Sequence, residues 1–182
     1  PTGLAGFMHP DGEIHALRAA NEAGIPMTLC TPSICSAMDL KNEVGTPFWF
    51  QIYVMKDKEF TKHLLDNAKR AGATVLVITV DLVVNARRHR DVRNGLSIPL
   101  RITAGTAIDA ITKPGWFLRM AQTKRHRFGN FESYFNGART NQSMASWVAE
   151  QYQPLLTPET LGWIRDYWDG PVVLKGIMTP ED

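Results

Sequence analysis

The chain has 182 residues, of which 44% are hydrophobic and 21% are charged. This is the composition of an ordinary globular domain that is long enough to bury a sizeable core. The net charge of +2 is too small to indicate nucleic-acid binding by itself. No apolar run reaches the roughly 18 residues that a membrane-spanning helix needs. The two cysteines, Cys30 and Cys35, have no Cys or His partners at metal-binding spacing, so no metal site is predicted.

In the first half of the chain, short apolar runs alternate with amphipathic stretches. Helices are predicted over 11–24, 33–44 and 57–71, and strands over 25–30, 48–54 and 75–80. The run over 75–80 is apolar and β-branched, which is typical of a strand buried on both faces of a parallel sheet. Elements that alternate in this way indicate βαβ units, whose right-handed crossovers place the strands parallel.

Residues 82–155 show no clean period and are predicted to be a long loop insertion. After it, Thr157 as N-cap and Pro158 in the first turn predict a helix over 157–169, and 171–176 predicts a further strand. Because no G-x-G-x-x-G sequence follows a strand, a dinucleotide-binding Rossmann domain is not indicated. The predicted fold is α/β: a partial TIM (β/α)8 barrel with about strands 1–5 and a long irregular insertion after strand 4.

The two ends of the chain lie within predicted elements. The chain starts at Pro1-Thr2-Gly3 without a Met, where the first barrel strand would end. It stops at 179–182, where a Thr-Pro pair followed by acidic residues marks the start of a helix. We therefore expect 1–182 to be one incomplete barrel domain.

Polar residues stand where each predicted strand ends, which is where α/β folds place their chemistry. Gln51 and Thr79 can hydrogen-bond the edge of a heterocycle. Lys175 lies in an apolar run, and because an unpaired buried cation is costly, it should face an anion or an electron-rich acceptor. Each residue alone is better explained as a satisfied polar group at a strand end, but five strand ends together favour a site. The residues are Pro1, Thr2, Gly3, Cys30, Thr31, Gln51, Tyr53, Thr79, Asp81 and Lys175.

Motifs along the whole chain resemble the FMN-dependent α-hydroxy acid dehydrogenase family, which includes L-lactate dehydrogenase, mandelate dehydrogenase and glycolate oxidase. The order and spacing of the motifs are most similar to those of the bacterial membrane-associated lactate and mandelate enzymes. The motifs are Pro1-Thr2-Gly3, His9-Pro10-x-Gly12-Glu13, Trp49-Phe50-Gln51-Ile52-Tyr53-Val54, Thr79-Val80-Asp81, Arg87-Arg88-His89-Arg90-Asp91, Trp163-Ile164-Arg165-Asp166 and Val173-Leu174-Lys175-Gly176-Ile177.

The resemblance implies an FMN cofactor and oxidation of an L-2-hydroxy acid, lactate-like, to the 2-keto acid. Gln51 and Thr79 would bond the isoalloxazine edge, and Lys175 would stabilise the reduced anionic flavin. The family usually has Ser where this chain has Cys30, whose thiol is a weaker hydrogen-bond partner. The residues implied to contact the flavin are Pro1, Thr2, Gly3, Cys30, Gln51, Thr79 and Lys175.

The resemblance also implies substrate-binding and catalytic residues. Tyr53 would bind the carboxylate or hydroxyl region of the substrate, and Arg88 would bind its carboxylate. Asp81 would orient a catalytic His and stabilise its protonated form. In the family that His lies in a Ser-Asn-His-Gly-Gly-Arg-Gln-like motif beyond the lysine strand, which this chain does not reach. We therefore expect the chain alone to be inactive.

Residues 113–128 combine five Lys and Arg residues, no acids, and interleaved large apolar side chains. Because this is the composition of an interfacial segment, a second hypothesis is a membrane-surface or partner-binding module. A solvated active-site lid would explain the segment equally well. No recognised nucleic-acid motif accompanies it, so a nucleic-acid partner is not predicted.

A third hypothesis is another FMN barrel enzyme, such as an isopentenyl diphosphate isomerase-like or IMP dehydrogenase-like protein, but those lack the pairing of Asp81 with Arg88.

For the complete protein, the resemblance implies a quinone or other electron acceptor and a homo-oligomer. Since no secretory signal opens the chain, we expect a cytoplasmic protein, peripheral on the inner face of the cell membrane if 113–128 anchors it.

Overall fold

The computed structural model describes residues 1–82, 89–93, 105, 108, 111–135, 141–151 and 156–179. Parallel strands alternate with helices through most of these residues. In chain order the elements are α1 (Ala5–Met8), α2 (Gly12–Glu22), β1 (Thr28–Cys30), α3 (Ala37–Glu43), β2 (Phe48–Ile52), α4 (Lys58–Ala71), β3 (Ala73–Thr79), α5 (His89–Arg93), α6 (Pro114–Gln122), α7 (Gly129–Phe135), α8 (Asn141–Gln151), α9 (Pro158–Tyr167) and β4 (Val172–Lys175).

The four strands form one parallel sheet in the order β1-β2-β3-β4. Each strand pairs with the next one in the chain, which is how a (β/α)8 barrel is built. These are the strands predicted over 25–30, 48–54, 75–80 and 171–176, so the α/β partial-barrel prediction is confirmed. Residues 1–4 form no strand, and the first of the five predicted strands therefore has no counterpart in the described part of the chain.

Local sequence signals explain where the helices begin and end. The side chain of Asp57 accepts a hydrogen bond from the Phe60 N–H and caps α4, and Gly72 ends the same helix at φ +90°. Ser36 and Asp39 form a reciprocal capping box at the start of α3. The sequence predicted that helix from residue 33, but the capping box moves its first turn to Ala37.

The core lies between the sheet and the helices that cover one of its faces. Phe50 of β2 is paired in register with Leu76 of β3, and both side chains are fully buried. Leu64 and Leu65 of α4 are buried in the same cluster. Because side chains alternate along a strand, Gln51 belongs to the opposite face of the sheet.

The described parts of the 82–155 insertion contain the helices α5 to α8, where the sequence predicted a loop. Phe131, Met144 and Val148 are buried in the main core. The ring of Phe60 in α4 lies 5.6 Å from that of Phe131 and 5.0 Å from that of Trp147. The insertion is thus partly a component of the core, held by aromatic packing rather than by a strong helical period of its own.

The strand β4 forms an edge of the described sheet and is more open than predicted. The sequence indicated a buried strand over 171–176, but the side chains of Val173 and Leu174 are 40% and 43% exposed. Exposed apolar side chains on an edge strand of a parallel sheet are typical of a sheet that continues beyond that strand.

Candidate active site

A line of hydrogen bonds joins the carboxyl ends of β1, β2 and β3. The Sγ of Cys30 and the backbone N–H of Thr31 donate to Gln51 Oε1 over 3.0 and 3.3 Å. The Nε2 of Gln51 then donates to Thr79 Oγ1 over 2.9 Å. All four residues are buried. Three of the strand ends that were predicted to carry a site therefore meet in one polar network.

Two further hydrogen bonds fasten the ends of β1 and β2 to each other. The hydroxyl of Thr31 donates to the backbone carbonyl of Gln51 over 2.6 Å and accepts from the Tyr53 N–H over 3.1 Å. Tyr53 itself follows β2 and is half-buried against the core. These two hydrogen bonds satisfy the Thr31 hydroxyl inside the protein and fix the ends of β1 and β2 relative to each other.

The side chains of Lys175 and Asp81 pair with each other at the ends of β4 and β3. The Nζ of Lys175 lies 3.3 and 3.2 Å from the two carboxylate oxygens of Asp81. Both side chains are almost half exposed, at 42% and 47%, so the pair contributes little to stability. A Cβ on Gly176 would lie 2.5 Å from Asp81 Cβ, and Gly176 has φ +114°, so glycine is needed beside this pair.

The start of the chain lies against the end of β1. The Leu4 N–H donates to the Pro32 carbonyl over 3.1 Å. A Cβ on Gly3 would lie 3.7 Å from the Sγ of Cys30. Pro1 and Thr2 are exposed beside it. The segment implied to contact a flavin is therefore next to the polar network of the strand ends.

Burial is the main cause of a raised pKa for the Cys30 thiol, to about 12. The thiol is therefore protonated at neutral pH and acts as a hydrogen-bond donor. Burial also raises the pKa of Cys35, and the nearby Glu13 carboxylate adds to the effect. Neither cysteine has the character of a nucleophile.

Two buried polar residues that support the site were not predicted. The carboxylate of Glu13 accepts from the Ile34 N–H over 3.0 Å, which holds the loop after β1. The amide of Asn130 donates to the Thr31 carbonyl over 3.1 Å and accepts from the Ala37 N–H over 2.9 Å. Glu13 lies in a family-like motif, but Asn130 is about 100 residues from its partners, and no local pattern marks it.

The basic-aromatic segment 113–128 divides into an exposed part and a fastened part. The helix α6 has no buried residue, and Phe117 and Leu118 are 55% and 60% exposed. By contrast, the Arg125 guanidinium binds three carboxylates, those of Asp11, Asp39 and Glu43, over 2.9, 3.0 and 2.7 Å. Arg125 is therefore part of the protein's own structure rather than a free surface charge.

The remaining predictions concern Arg88, metals and the membrane. Arg88 lies outside the described residues. In the described ranges, no cluster of His, Cys, Asp and Glu could hold a metal ion. No helix there is long and apolar enough to cross a membrane.

Comparisons with known proteins place these features in a family. The sequence model of the FMN-dependent dehydrogenase family matches residues 1–182. An L-lactate dehydrogenase of Actinobacillus pleuropneumoniae serotype 5b is 40% identical over 183 residues, which cover 100% of this chain and 48% of the relative. An L-lactate dehydrogenase of Yersinia pestis is 38% identical with the same coverage. The chain spans about half the length of the curated relatives it matches.

Solved structures also match the whole of this chain and less than half of their own length. A crystal structure of the monotopic membrane protein (S)-mandelate dehydrogenase matches with a TM-score of 0.89 and 34% identity, over 100% of this chain and 48% of that one. A structure of mandelate oxidase matches with a TM-score of 0.68 and 31% identity, over 100% of this chain and 43% of that one.

Proposed function

The chain belongs to the FMN-dependent dehydrogenase family, and we propose that it supplies the flavin-facing half of an enzyme that oxidises an L-2-hydroxy acid to the 2-keto acid. The observation that carries the proposal is the buried line Cys30–Gln51–Thr79 at the carboxyl ends of parallel strands. The names of the relatives suggest lactate or mandelate as the substrate class. A quinone acceptor and a homo-oligomeric complete protein are further proposals.

The donor set at the strand ends fits FMN. Gln51 uses its Nε2 toward Thr79 and has a second N–H on the same nitrogen, and the Thr79 hydroxyl is itself a donor. These donors and the Lys175 cation suit the carbonyl-rich edge of a flavin. When bound, FMN accepts the electrons that leave the substrate. Pro1, Thr2 and Gly3 would contribute backbone beside the ring.

Lys175 and Asp81 would have opposite electrostatic tasks in the complete site. The Lys175 ammonium favours negative charge at its side of the site, and the Asp81 carboxylate favours a protonated base. In this structure they neutralise each other over 3.2 Å. Because both are partly exposed, each can gain a further partner without a large desolvation cost. Tyr53 is proposed to hold the carboxylate or hydroxyl region of the substrate, and Arg88 its carboxylate.

A chimera tests the proposed activity. In it, this chain replaces the corresponding half of the Actinobacillus pleuropneumoniae relative. We expect it to bind FMN, and anaerobic L-lactate or (S)-mandelate to bleach the flavin absorbance. Lys175→Met should slow bleaching at least about tenfold, while Lys62→Met, which removes only an exposed pair with Glu59, should not. Bound flavin that no 2-hydroxy acid bleaches would contradict the proposal.

The 182-residue chain by itself gives a second test. If the family's catalytic base lies outside the chain, the chain should oxidise L-lactate about 10² to 10⁴ times more slowly than the chimera does. Turnover at the rate of the chimera would show that the chain contains its own base.

A specific observation favours peripheral membrane binding as a second function. Apolar side chains on and beside α6 are exposed together with basic ones. The apolar residues are Met8, Ile111, Phe117 and Leu118, and the basic residues are Lys113, Arg119 and Lys124. Trp116 Nε1 donates to the Met8 carbonyl over 3.2 Å, which keeps α1 beside α6. This surface suits an anionic bilayer on the inner face of the cell membrane, and a quinone would be accessible there.

Co-sedimentation with vesicles of phosphatidylcholine and phosphatidylglycerol tests the membrane surface. The double variant Phe117→Glu, Leu118→Glu should lose most binding, because charged groups would have to enter the interface. Ile25→Glu is a matched control, since Ile25 is 60% exposed, as Leu118 is, but it precedes β1 and does not belong to the α6 surface. Equal partitioning of all three proteins would contradict membrane binding through α6.

A further inference from the structure

We propose that Cys30 is a positioning residue: its S–H group, together with the Thr31 N–H, holds the Gln51 side-chain amide in one orientation, so that the amide nitrogen is presented to a ring bound at the strand ends. The idea deepens the proposed function, because the ring in question is the flavin. In this chain the proposed role of Cys30 is exerted through Gln51.

The two ends of a glutamine amide have nearly the same shape, so their orientation is decided by hydrogen-bond partners. Gln51 is completely buried, and its Oε1 has two donors, the Cys30 thiol at 3.0 Å and the Thr31 N–H at 3.3 Å. A rotated amide would point its NH₂ group at the Thr31 N–H, and two donors would face each other. The Thr31 N–H can only donate and therefore opposes this rotation, and the thiol, by donating to Oε1 over the shorter distance, adds to the preference for the observed orientation.

The orientation then extends to the next strand. Gln51 Nε2 donates to Thr79 Oγ1 over 2.9 Å and so occupies an acceptor position of that hydroxyl. The Thr79 hydrogen is thereby left to donate elsewhere. The network has one direction, from the Cys30 S–H through the Gln51 amide to the Thr79 O–H. Its last members present donors, which match the carbonyl oxygens of a heterocycle rather than its N–H groups.

The thiol of Cys30 lies directly beside the Gln51 amide. Cys30 is 4% exposed, and Gln51 is its register partner on β2. The thiol is a weaker donor than a serine hydroxyl. Cys30→Ser should therefore preserve the orientation of Gln51, whereas Cys30→Ala or Cys30→Val removes the donor. Ala leaves a small void at this buried position, whereas Val is somewhat larger than Cys and leaves none, so an effect shared by both variants reports the lost donor.

The first test is NMR on the 182-residue chain without cofactor, with ¹⁵N-labelled glutamine. Gln51→Leu assigns the Gln51 side-chain signals. We expect Cys30→Ala and Cys30→Val to shift both Nε2 proton signals and to raise their exchange rate with water about five- to tenfold, the effect of losing one hydrogen bond. Cys30→Ser should retain the slow exchange. The matched control is Cys35→Ala, which alters the other buried cysteine.

The second test uses FMN in the chimera described above. The donor-free variants should weaken FMN binding about five- to tenfold and shift the flavin carbonyl stretching bands, and Cys30→Ser should restore both. Cys35→Ala should leave both unchanged. If even the unmutated chimera fails to bind FMN, the proposed function is wrong, and the NMR result alone decides the role of Cys30. The role is overturned if the Cys30 variants match Cys35→Ala in the NMR exchange rates, or if Cys30→Ser behaves like Cys30→Ala.

Discussion

Single buried polar residues decide how the strand ends are arranged. Gln51 and Thr79 were predicted to act together from their positions alone, because the strand register of a parallel sheet is regular. The direction of their hydrogen bonds was not predictable, since it depends on the thiol of Cys30 and the N–H of Thr31. Asn130 was missed for the same reason: its partners are assigned by the fold and not by the neighbouring sequence.

His63 in α4 gives a pH-dependent prediction at this scale. Burial, and then the positive charge of Arg70, lower its pKa from the ordinary value. Its Nε2 contacts Ser133 and Asn67 at 2.9 and 2.8 Å, and as the Asn67 Nδ2 can only donate, the neutral ring is the form that fits. The unfolded chain therefore binds the proton more readily than the folded one.

Stability from His63 should be complete above about pH 6.5 and should fall as the pH decreases through the lowered pKa. Urea unfolding at about pH 8 and about pH 5.5 measures the effect. In His63→Gln the part of the stability difference that comes from this residue should disappear. An undiminished difference between the two pH values in that variant would assign the effect to other groups.

At the scale of elements, the prediction succeeded where the ends of an element are encoded locally. The helix predicted over 57–71 is observed as Lys58–Ala71, because Asp57 caps it and Gly72 ends it. The helices α7 and α8 were missed. Their aromatic side chains Phe131 and Trp147 pack against Phe60 of α4. This tertiary contact stabilises the two helices more than their intrinsic helix propensity does.

Two glycines should respond in opposite directions to the same substitution. Gly72 has φ +90°, so Gly72→Ala should destabilise the protein by about 1 kcal/mol through backbone strain alone, as no atom obstructs a Cβ there. Gly162 lies inside α9, and a Cβ on it also meets no atom. Gly162→Ala should therefore stabilise by about 0.5–1 kcal/mol. Thermal unfolding of both variants checks the prediction, and a shift of the same sign in both would refute it.

At the scale of the whole molecule, the described residues form part of the sheet of a barrel and carry part of the proposed site. The carboxyl ends of β1–β4 bring Cys30, Gln51, Thr79 and Lys175 to one edge of the sheet, as the alternation of elements predicted. The pairing of Lys175 with Asp81 was not predicted, because the resemblance assigns each a different partner. Sequence patterns located the groups, but only the packed strands determine which of them meet.

Arg125 joins the insertion to the rest of the molecule. Its guanidinium contacts Asp11 beside α2 together with Asp39 and Glu43 of α3. Partial burial would lower its pKa, but the hydrogen bonds to these three carboxylates raise the pKa further above its ordinary value. The guanidinium therefore stays positively charged and pairs with three carboxylates at once. Removing the Arg125 side chain would leave these carboxylates close together without a cation.

Arg125→Met should therefore destabilise the protein by about 1–3 kcal/mol and release the segment that carries α6. Arg127→Met is the matched control, because Arg127 makes one exposed pair with Glu132 that is worth less than about 1 kcal/mol. Hydrogen exchange measured by mass spectrometry should show faster exchange over 114–122 in the first variant only. If α6 exchanges equally in both, the helix is held by Trp116 and its neighbours instead. Since the exposed side chains of α6 form the proposed lipid-binding surface, the same variant separates membrane binding from the strand-end site: lipid binding should weaken while the network around Gln51 stays intact.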